Sequence, residues 1–186
     1  MGTLIAGLGL FLGIHLVPTA GDLRARLRES LGPKRYRGLF SIVSAVGLGL
    51  IIYGKSIAPV EPIWPGWAPG FHLSLAVMPF VFILLAAANM PGYIRAKLKH
   101  PMLIGTALWA AIHLSVNGDL ASILLFGGIL AWALIDLVSV IARDKTLIGT
   151  KPPSIRFDVI AVVAGSALFF VVAYFHGDLF GRPVLP

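Results

Sequence analysis

Six continuous apolar runs alternate with short polar segments along the chain. Within each run the apolar residues are consecutive and do not alternate with polar ones, which favours helices over the strands of a barrel. A helix needs about 20 apolar residues to cross a bilayer, and about 17 can be enough. We therefore predict an all-α, polytopic membrane helical bundle of about six transmembrane helices, forming a single domain over residues 1–186. The runs are Thr3–Pro18, Gly38–Gly54, Gly70–Met90, Pro101–Val116, Leu120–Ala142 and Phe157–His176.

Composition agrees with a membrane protein. Of the 186 residues, 58% are hydrophobic and 12% are charged, whereas soluble domains carry about 25% charged residues. So few charges cannot cover a surface that faces water. Cysteine is absent, which excludes disulfides, thiolate catalysis and iron–sulfur clusters.

Basic residues fall mainly in every second connection. Thirteen of the fifteen Lys and Arg residues lie in the segments 19–37, 91–100 and 143–156, and only Lys55 and Arg182 lie elsewhere. Basic loops of inner-membrane proteins stay in the cytoplasm. We therefore expect a bacterial inner-membrane protein with these three segments in the cytoplasm and both termini in the periplasm.

Three connections have patterns of their own. Asn117-Gly118-Asp119 forms a tight turn in which Asp119 can cap the following helix, so the fourth and fifth spans should form a hairpin. Pro59–Pro69 contains four prolines and two tryptophans, which predicts an extended segment at the membrane interface. Leucines repeat every four residues over Leu23–Leu31, with arginines between them, which predicts a short helix on the inner membrane surface.

Small residues at four-residue spacing predict where helices approach closely. Gly9 and Gly13 have this spacing in the first span, and Gly127 and Ala131 have it in the fifth. We expect these residues to form packing seams.

Five histidines are the main candidates for chemistry. An ionisable side chain inside a span is costly and is by default a functional candidate. His15 and His113 lie within apolar runs, and histidine is the usual axial ligand of haem, so this pair suits haem b. Alternatively, each imidazole only hydrogen-bonds a neighbouring helix. His72, His100 and His176 lie nearer the interfaces, where water can satisfy an imidazole.

The depths of the two histidines create a geometric tension. At a rise of about 1.5 Å per residue, His15 lies about 5 Å from the cytoplasmic end of its helix and His113 about 5 Å from the periplasmic end of its own. Their α carbons would then differ by about 15 Å in depth. Two imidazoles on one iron place their α carbons roughly 12–13 Å apart. One shared iron therefore requires tilted helices or a haem plane that lies rather flat in the membrane.

Two further residues could belong to the same site. Asp136 lies inside the fifth span, toward its cytoplasmic end, and could accept a hydrogen bond from the free N–H of a ligating histidine. It could equally form an ion pair with Arg143 or Arg156. Trp109, one turn before His113, could pack on a planar cofactor or face lipid.

The motifs that hold these residues resemble the NnrU family over nearly the whole chain. They are Leu12-Gly-Ile-His15-Leu-Val-Pro18, Arg35-Tyr-Arg-Gly-Leu-Phe-Ser41 and, most specifically, His100-Pro-Met-Leu-Ile-Gly105 followed by Leu108-Trp-Ala-Ala-Ile-His113 and Asn117-Gly-Asp-Leu120. The resemblance implies a link with nitrite and nitric oxide metabolism in denitrifiers.

The same resemblance bears on a haem cofactor. The family also contains zeta-carotene isomerase, a membrane enzyme with haem b, whose proposed axial histidines match His15 and His113. That enzyme has a cysteine before its second ligand, where this chain has Ala110. An alternative iron ligand is therefore missing here.

Two classes of function follow from these observations. The first is a membrane haem b protein that acts in redox chemistry or on a lipophilic substrate within the bilayer, for example as an isomerase. The second is a non-enzymatic accessory protein that helps a nitrite or nitric oxide respiratory complex to assemble. A transporter is disfavoured because intramembrane polar groups are few. The expected partners are membrane lipid, a lipophilic small molecule or redox partner, and a second copy of the chain, but no nucleic acid.

Alkaline phosphatase fusions test the predicted topology. The enzyme works only outside the cytoplasm, so a fusion after Pro186 should be active and one within residues 143–156 should be inactive. Both fusions are assayed in cells at matched expression. Activity in the loop fusion alone would reverse the orientation.

Overall fold

The computed structural model describes residues 1–143 and 152–184, and this part of the chain is mostly helical. A 3₁₀ turn, Val17–Thr19, follows the first helix. The helices are α1 (Gly2–Leu16), α2 (Leu23–Leu31), α3 (Pro33–Ser56), α4 (Gly70–Ala87), α5 (Tyr93–Leu98), α6 (Pro101–Val116), α7 (Leu120–Ala142) and α8 (Ile155–Phe180).

Five of the described helical segments are long and apolar enough to cross a membrane: α1 with its 3₁₀ turn, α3, α4, α7 and α8. The apolar helix α6 has 16 residues, which corresponds to about 24 Å. The prediction of an all-α membrane helical bundle is therefore confirmed, with five helices of full span length and a shorter sixth.

The helix boundaries differ from the apolar runs mainly at α3 and α8. α3 begins at Pro33, ahead of Gly38, and α8 continues to Phe180, past His176. In both cases a polar or charged turn extends the apolar part of the helix. Proline is favoured at the first helical position, and Gly181 ends α8 in the left-handed conformation at φ 72°.

The helices pack in the spatial order α3, α1, α7, α6, α4, α8. α1 pairs with α3 and α4 pairs with α8, and the predicted α6–α7 hairpin joins the two pairs. Within the described residues, α1 and α6 both pack on α7 but not on each other. We call the end of the bundle at Pro18, His100 and Arg143 the basic end, because the basic segments of the sequence lie there.

Glycines bring α1 and α3 into backbone contact. A β carbon added at Gly7 would lie 2.7 Å from the amide nitrogen of Ile51, and one added at Gly47 would lie 2.8 Å from that of Phe11. These contacts set an antiparallel register in which Gly7 lies opposite Ile51 and Gly47 opposite Phe11.

The predicted seams are wrong. Among the described residues, no atom lies within 4 Å of a β carbon added at Gly9, Gly13 or Gly127, and Ala131 is exposed. A β carbon added at the neighbouring Gly128 would instead lie 3.2 Å from Leu12 Cδ1. Four-residue spacing identifies a row of small residues but not the face of the helix that meets a partner.

At the end opposite the basic end, an extended segment pairs with the α6–α7 turn. The N–H of Ile63 donates to the carbonyl oxygen of Gly118 at 2.8 Å, and the N–H of Leu120 donates to that of Glu61 at 2.8 Å. The predicted extended conformation is therefore confirmed for residues 59–62, whereas the chain bends at Ile63 and Trp64 and turns at Ala68 and Pro69. The place of the segment at the membrane interface stays a prediction.

A partly buried ion pair closes the same end. Asp119 caps α7 as predicted, since its carboxylate accepts a hydrogen bond from the N–H of Ser122 at 3.0 Å. The Lys55 ammonium, at the end of α3, donates to Asp119 Oδ1 and to Ser122 Oγ, each at 2.8 Å. Burial by itself would raise the pKa of Asp119, but the hydrogen bonds from Lys55 and Ser122 outweigh it and lower the pKa to about 2. The ion pair ties α3 to α7.

α2 confirms the predicted short helix after the first span. Its residues Leu27 and Leu31 are half-buried and its arginines are exposed, and it packs against α3. Its position on a membrane surface stays a prediction.

Gly47→Ala should destabilise the bundle by about 1–3 kcal/mol, because the added methyl group overlaps the Phe11 backbone and forces α1 from α3. Gly49→Ala is the matched control, since an added β carbon there meets no described atom within 4 Å and alanine is the better helix former. Unfolding in detergent, followed by circular dichroism, measures the difference. Equal stability of the two variants would contradict the close contact.

Asp119→Asn should lower the free energy of unfolding by about 1–2 kcal/mol at neutral pH, because asparagine still caps α7 but carries no negative charge to pair with the Lys55 ammonium. The folded pKa lies below the ordinary value of 3.8. The contribution is therefore present above about pH 4 and is lost as the pH falls toward about 2.

The test compares unfolding at a series of acid pH values. Wild type should lose more stability across that window than Asp119→Asn. Asp178→Asn, which changes an exposed carboxylate, is the control and should follow wild type. An Asp119→Asn profile that coincides with wild type would show that another group titrates.

Candidate functional site

His15 lies in the last turn of α1, toward the basic end, and its ring is held on three sides. Its Nδ1–H donates to the carbonyl oxygen of Phe11, four residues earlier, at 2.7 Å. The imidazole lies 4.2 Å from the Phe11 ring, 5.1 Å from Phe40 of α3 and 5.4 Å from Trp132 of α7, measured between ring centroids. Because a carbonyl can only accept, Nδ1 carries the proton, and Nε2 of the neutral ring keeps its lone pair.

His113 lies in the last turn of α6, toward the opposite end of the bundle, in a similar arrangement. Its Nδ1–H donates to the carbonyl oxygen of Trp109, again four residues earlier, at 2.8 Å. Its ring lies 4.9 Å from Trp109 and 4.9 Å from Phe126 of α7. Nε2 is again the lone-pair nitrogen.

The two histidines thus share one local design. Each follows an aromatic residue by four positions on its own helix, Phe11 before His15 and Trp109 before His113, and each also contacts an aromatic ring from α7. The four-residue spacing between aromatic residue and histidine can be read from the sequence alone. The contacts with Phe126 and Trp132 depend on how α7 packs, which the sequence does not give.

The contacts with α7 indicate how far apart the two imidazoles lie along the bundle axis. The α7 residues that contact them, Phe126 and Trp132, are six residues apart, which corresponds to about 9 Å along the helix axis. This separation is smaller than the depth difference of about 15 Å expected from helix ends alone. α1 and α6 each pack on α7 without packing on each other, so the two histidines come from different helices that α7 brings together.

Trp109 lies inside the bundle. It is half-buried, and its ring lies 4.9 Å from that of His113, tilted by 41°, and 5.1 Å from that of Phe126. It also packs against the apolar clusters of both halves. The lipid-facing alternative for Trp109 is therefore wrong, and its ring borders the His113 imidazole.

Asp136 lies one turn beyond Trp132 on α7, closer to the basic end. Its Oδ1 lies 3.9 Å from a guanidinium nitrogen of Arg143, which also donates to the carbonyl oxygen of Pro18. The ion pair with Arg143, one of the two expected alternatives, is therefore present. The Nδ1–H of His15 is used by Phe11, so Asp136 does not receive that hydrogen bond here.

The other histidines differ from this pair. His72 is exposed, and His176 donates its Nδ1–H to the carbonyl oxygen of Arg182 at 2.6 Å. His100 precedes α6 at the basic end, as expected, but it is only 6% exposed, so the expectation that water satisfies its imidazole is wrong.

Asp158 is a buried carboxylate that the sequence analysis did not single out. It lies in the first turn of α8 and accepts hydrogen bonds from the N–H groups of Tyr93 and Ile94, at 2.8 and 2.9 Å. It thereby caps α5 from a distant part of the chain. An acidic residue at a helix start is common, so only the tertiary contact distinguishes this one. Its role is structural.

Comparison with known proteins adds a family but no characterised relative. No curated protein and no solved structure matches the chain. The family model described as NnrU protein matches residues 3–184, nearly the whole chain. The chain therefore belongs to the NnrU family of membrane proteins.

Proposed function

We propose that this protein binds one haem b within the membrane, with Nε2 of His15 and Nε2 of His113 as its axial ligands. We further propose that it acts in redox chemistry or on a lipophilic substrate within the bilayer, at the bacterial inner membrane with the basic end in the cytoplasm. The observation that supports the proposal is the repeated design of the two histidines. In each, the Nδ1–H is satisfied by the residue's own helix, as is usual for metal-bound imidazoles.

The available donors fit haem better than a bare metal ion. Within the described residues, no three His, Asp or Glu side chains are grouped so that they could hold a metal ion. A porphyrin supplies most of the iron ligands itself and needs only one or two from the protein. The chain has no cysteine, and Ala110, where the resemblance implies a cysteine in the isomerase, is buried. Imidazole is therefore the ligand type to test.

The residues around each histidine would orient it and exclude water. Rings packed against each imidazole restrict its rotation, and the i−4 carbonyl fixes its tautomer. The walls formed by Phe11, Phe40, Phe126 and Trp132 are apolar or aromatic. Such surroundings favour a lipophilic substrate. A haem b bound here would supply electron transfer with both imidazoles attached, and Lewis acidity toward a polyene with one released.

Replacing each ligand tests the assignment. His15→Ala or His113→Ala should convert a low-spin spectrum to a five-coordinate, high-spin one, or lower the haem content several-fold, because one axial ligand is lost. The double variant should abolish haem binding. Optical and electron paramagnetic resonance spectra of the purified proteins provide the measurement.

The controls are His72→Ala and His176→Ala, which should keep the low-spin spectrum, and circular dichroism, which should show an intact helical bundle in every variant. A low-spin spectrum unaltered by either His15→Ala or His113→Ala would refute the ligand pair. A wild-type protein that stays colourless after expression with ample haem would favour the accessory role in nitrite or nitric oxide respiration.

A further inference from the structure

Two buried polar atoms on α7 have no hydrogen-bond partner among the described residues. They are the indole Nε1–H of Trp132 and the carboxylate Oδ1 of Asp136. The two residues are four positions apart, so they lie on one face of α7, a turn apart. The Arg143 guanidinium, at 3.9 Å from Oδ1, is too far away for a hydrogen bond. An unpaired donor thus lies beside an unpaired acceptor, close to His15.

A third unpaired polar atom lies at the same depth. It is the hydroxyl oxygen of Ser44 on α3. The α1–α3 register, with Gly47 opposite Phe11, brings Ser44 level with His15. Two helices therefore contribute unpaired polar groups at the level of the His15 imidazole.

Buried polar groups without hydrogen bonds destabilise the fold unless a water molecule or a proton satisfies them. Each buried polar atom without a partner has lost its bonds to water and gained none in return. A buried water is stable where it finds two to four polar partners, and Trp132 offers a donor where Asp136 offers an acceptor. Alternatively, a proton on Asp136 removes its charge. Both remedies are means of moving protons.

Charged and titratable groups near Asp136 come from three elements. Arg143, on α7 itself, is the nearest. The others are His100, just before α6, and His15, on α1. The Arg143 side chain is 26% exposed, so the group of His15, His100, Trp132, Asp136 and Arg143 extends from inside the bundle to its basic end. We call this group the basic-end polar cluster.

We propose that Asp136 is a proton-exchange site that balances a change of charge beside His15. The Asp136 carboxylate takes up one proton from the aqueous phase at the basic end when one electron, from a one-electron reductant, arrives at the haem site. Asp136 releases the same proton when the electron leaves. One negative charge gained is thus matched by one proton bound. This coupling rests on the proposed haem, whereas proton exchange at Asp136 does not. Intramembrane carboxylates commonly serve such proton relays.

The first experiment measures the haem midpoint potential of the holoprotein against pH. For wild type, the reduction equilibrium should change up to tenfold per pH unit, about 59 mV, over the range in which Asp136 titrates. Asp136→Asn keeps the size of the side chain but cannot take up the proton, so its slope should fall to less than half. Asp22→Asn, an exposed aspartate near the same end, should behave as wild type. A full slope retained in Asp136→Asn overturns the coupling even though haem is bound.

The second experiment uses protein prepared without haem. An infrared difference spectrum between two pH values should contain a protonated-carboxyl band that shifts in D₂O and is missing in Asp136→Asn. Trp132→Phe keeps the ring against His15 but removes the N–H, and it should shift this band. If wild type and Asp136→Asn give identical spectra, Asp136 exchanges no proton and the proposal fails. If the band is present in a protein that never binds haem, proton exchange stands and the haem assignment alone fails.

Discussion

The lack of water in the bilayer core is the constraint on which the rest of this structure depends. A polar group there must find a partner inside the protein, because none is available from the solvent. His15 and His113 meet this demand with the carbonyl four residues earlier on their own helices. Asp158 meets it with two backbone N–H groups of α5. The exceptions on α7, Trp132 and Asp136, are therefore informative.

Much of the fold could be predicted from the sequence because apolar runs report directly on membrane helices. An apolar run contains no charged residues, so it leaves out charged turns of a helix. One example is the first turn of α3, where Pro33 is followed by Lys34, Arg35 and Arg37. It fails for packing seams for a different reason. Gly9 and Gly13 have the spacing of a seam, yet Gly7 makes the contact. Which face of a helix meets its neighbour depends on the neighbour, and a single helix carries no record of it.

The candidate site, like the fold, could be predicted from the sequence in part. The cost of burying an imidazole identified His15 and His113, and the resemblance to a family agreed with that choice. The sequence could not give the rings that α7 supplies to each of them. Phe126 reaches His113 only when α6 and α7 pack together, and Trp132 reaches His15 only when α7 packs on α1. Nor could it show that His100 is buried, since a histidine among lysines resembles a surface residue.

The pairing of the helices has a consequence for the order in which the protein is assembled. α1 meets its main partner α3 within the first 56 residues, whereas α4 meets its main partner α8 only at the far end of the chain. The N-terminal pair can therefore form while the rest is still being synthesised, but α4 must wait in the bilayer with one face uncovered. His15 belongs to the N-terminal pair and His113 to the α6–α7 hairpin, which packs on that pair through α7. Any molecule that needs both imidazoles thus has no binding site until the second half of the chain has been inserted, which makes its binding a late step of biogenesis.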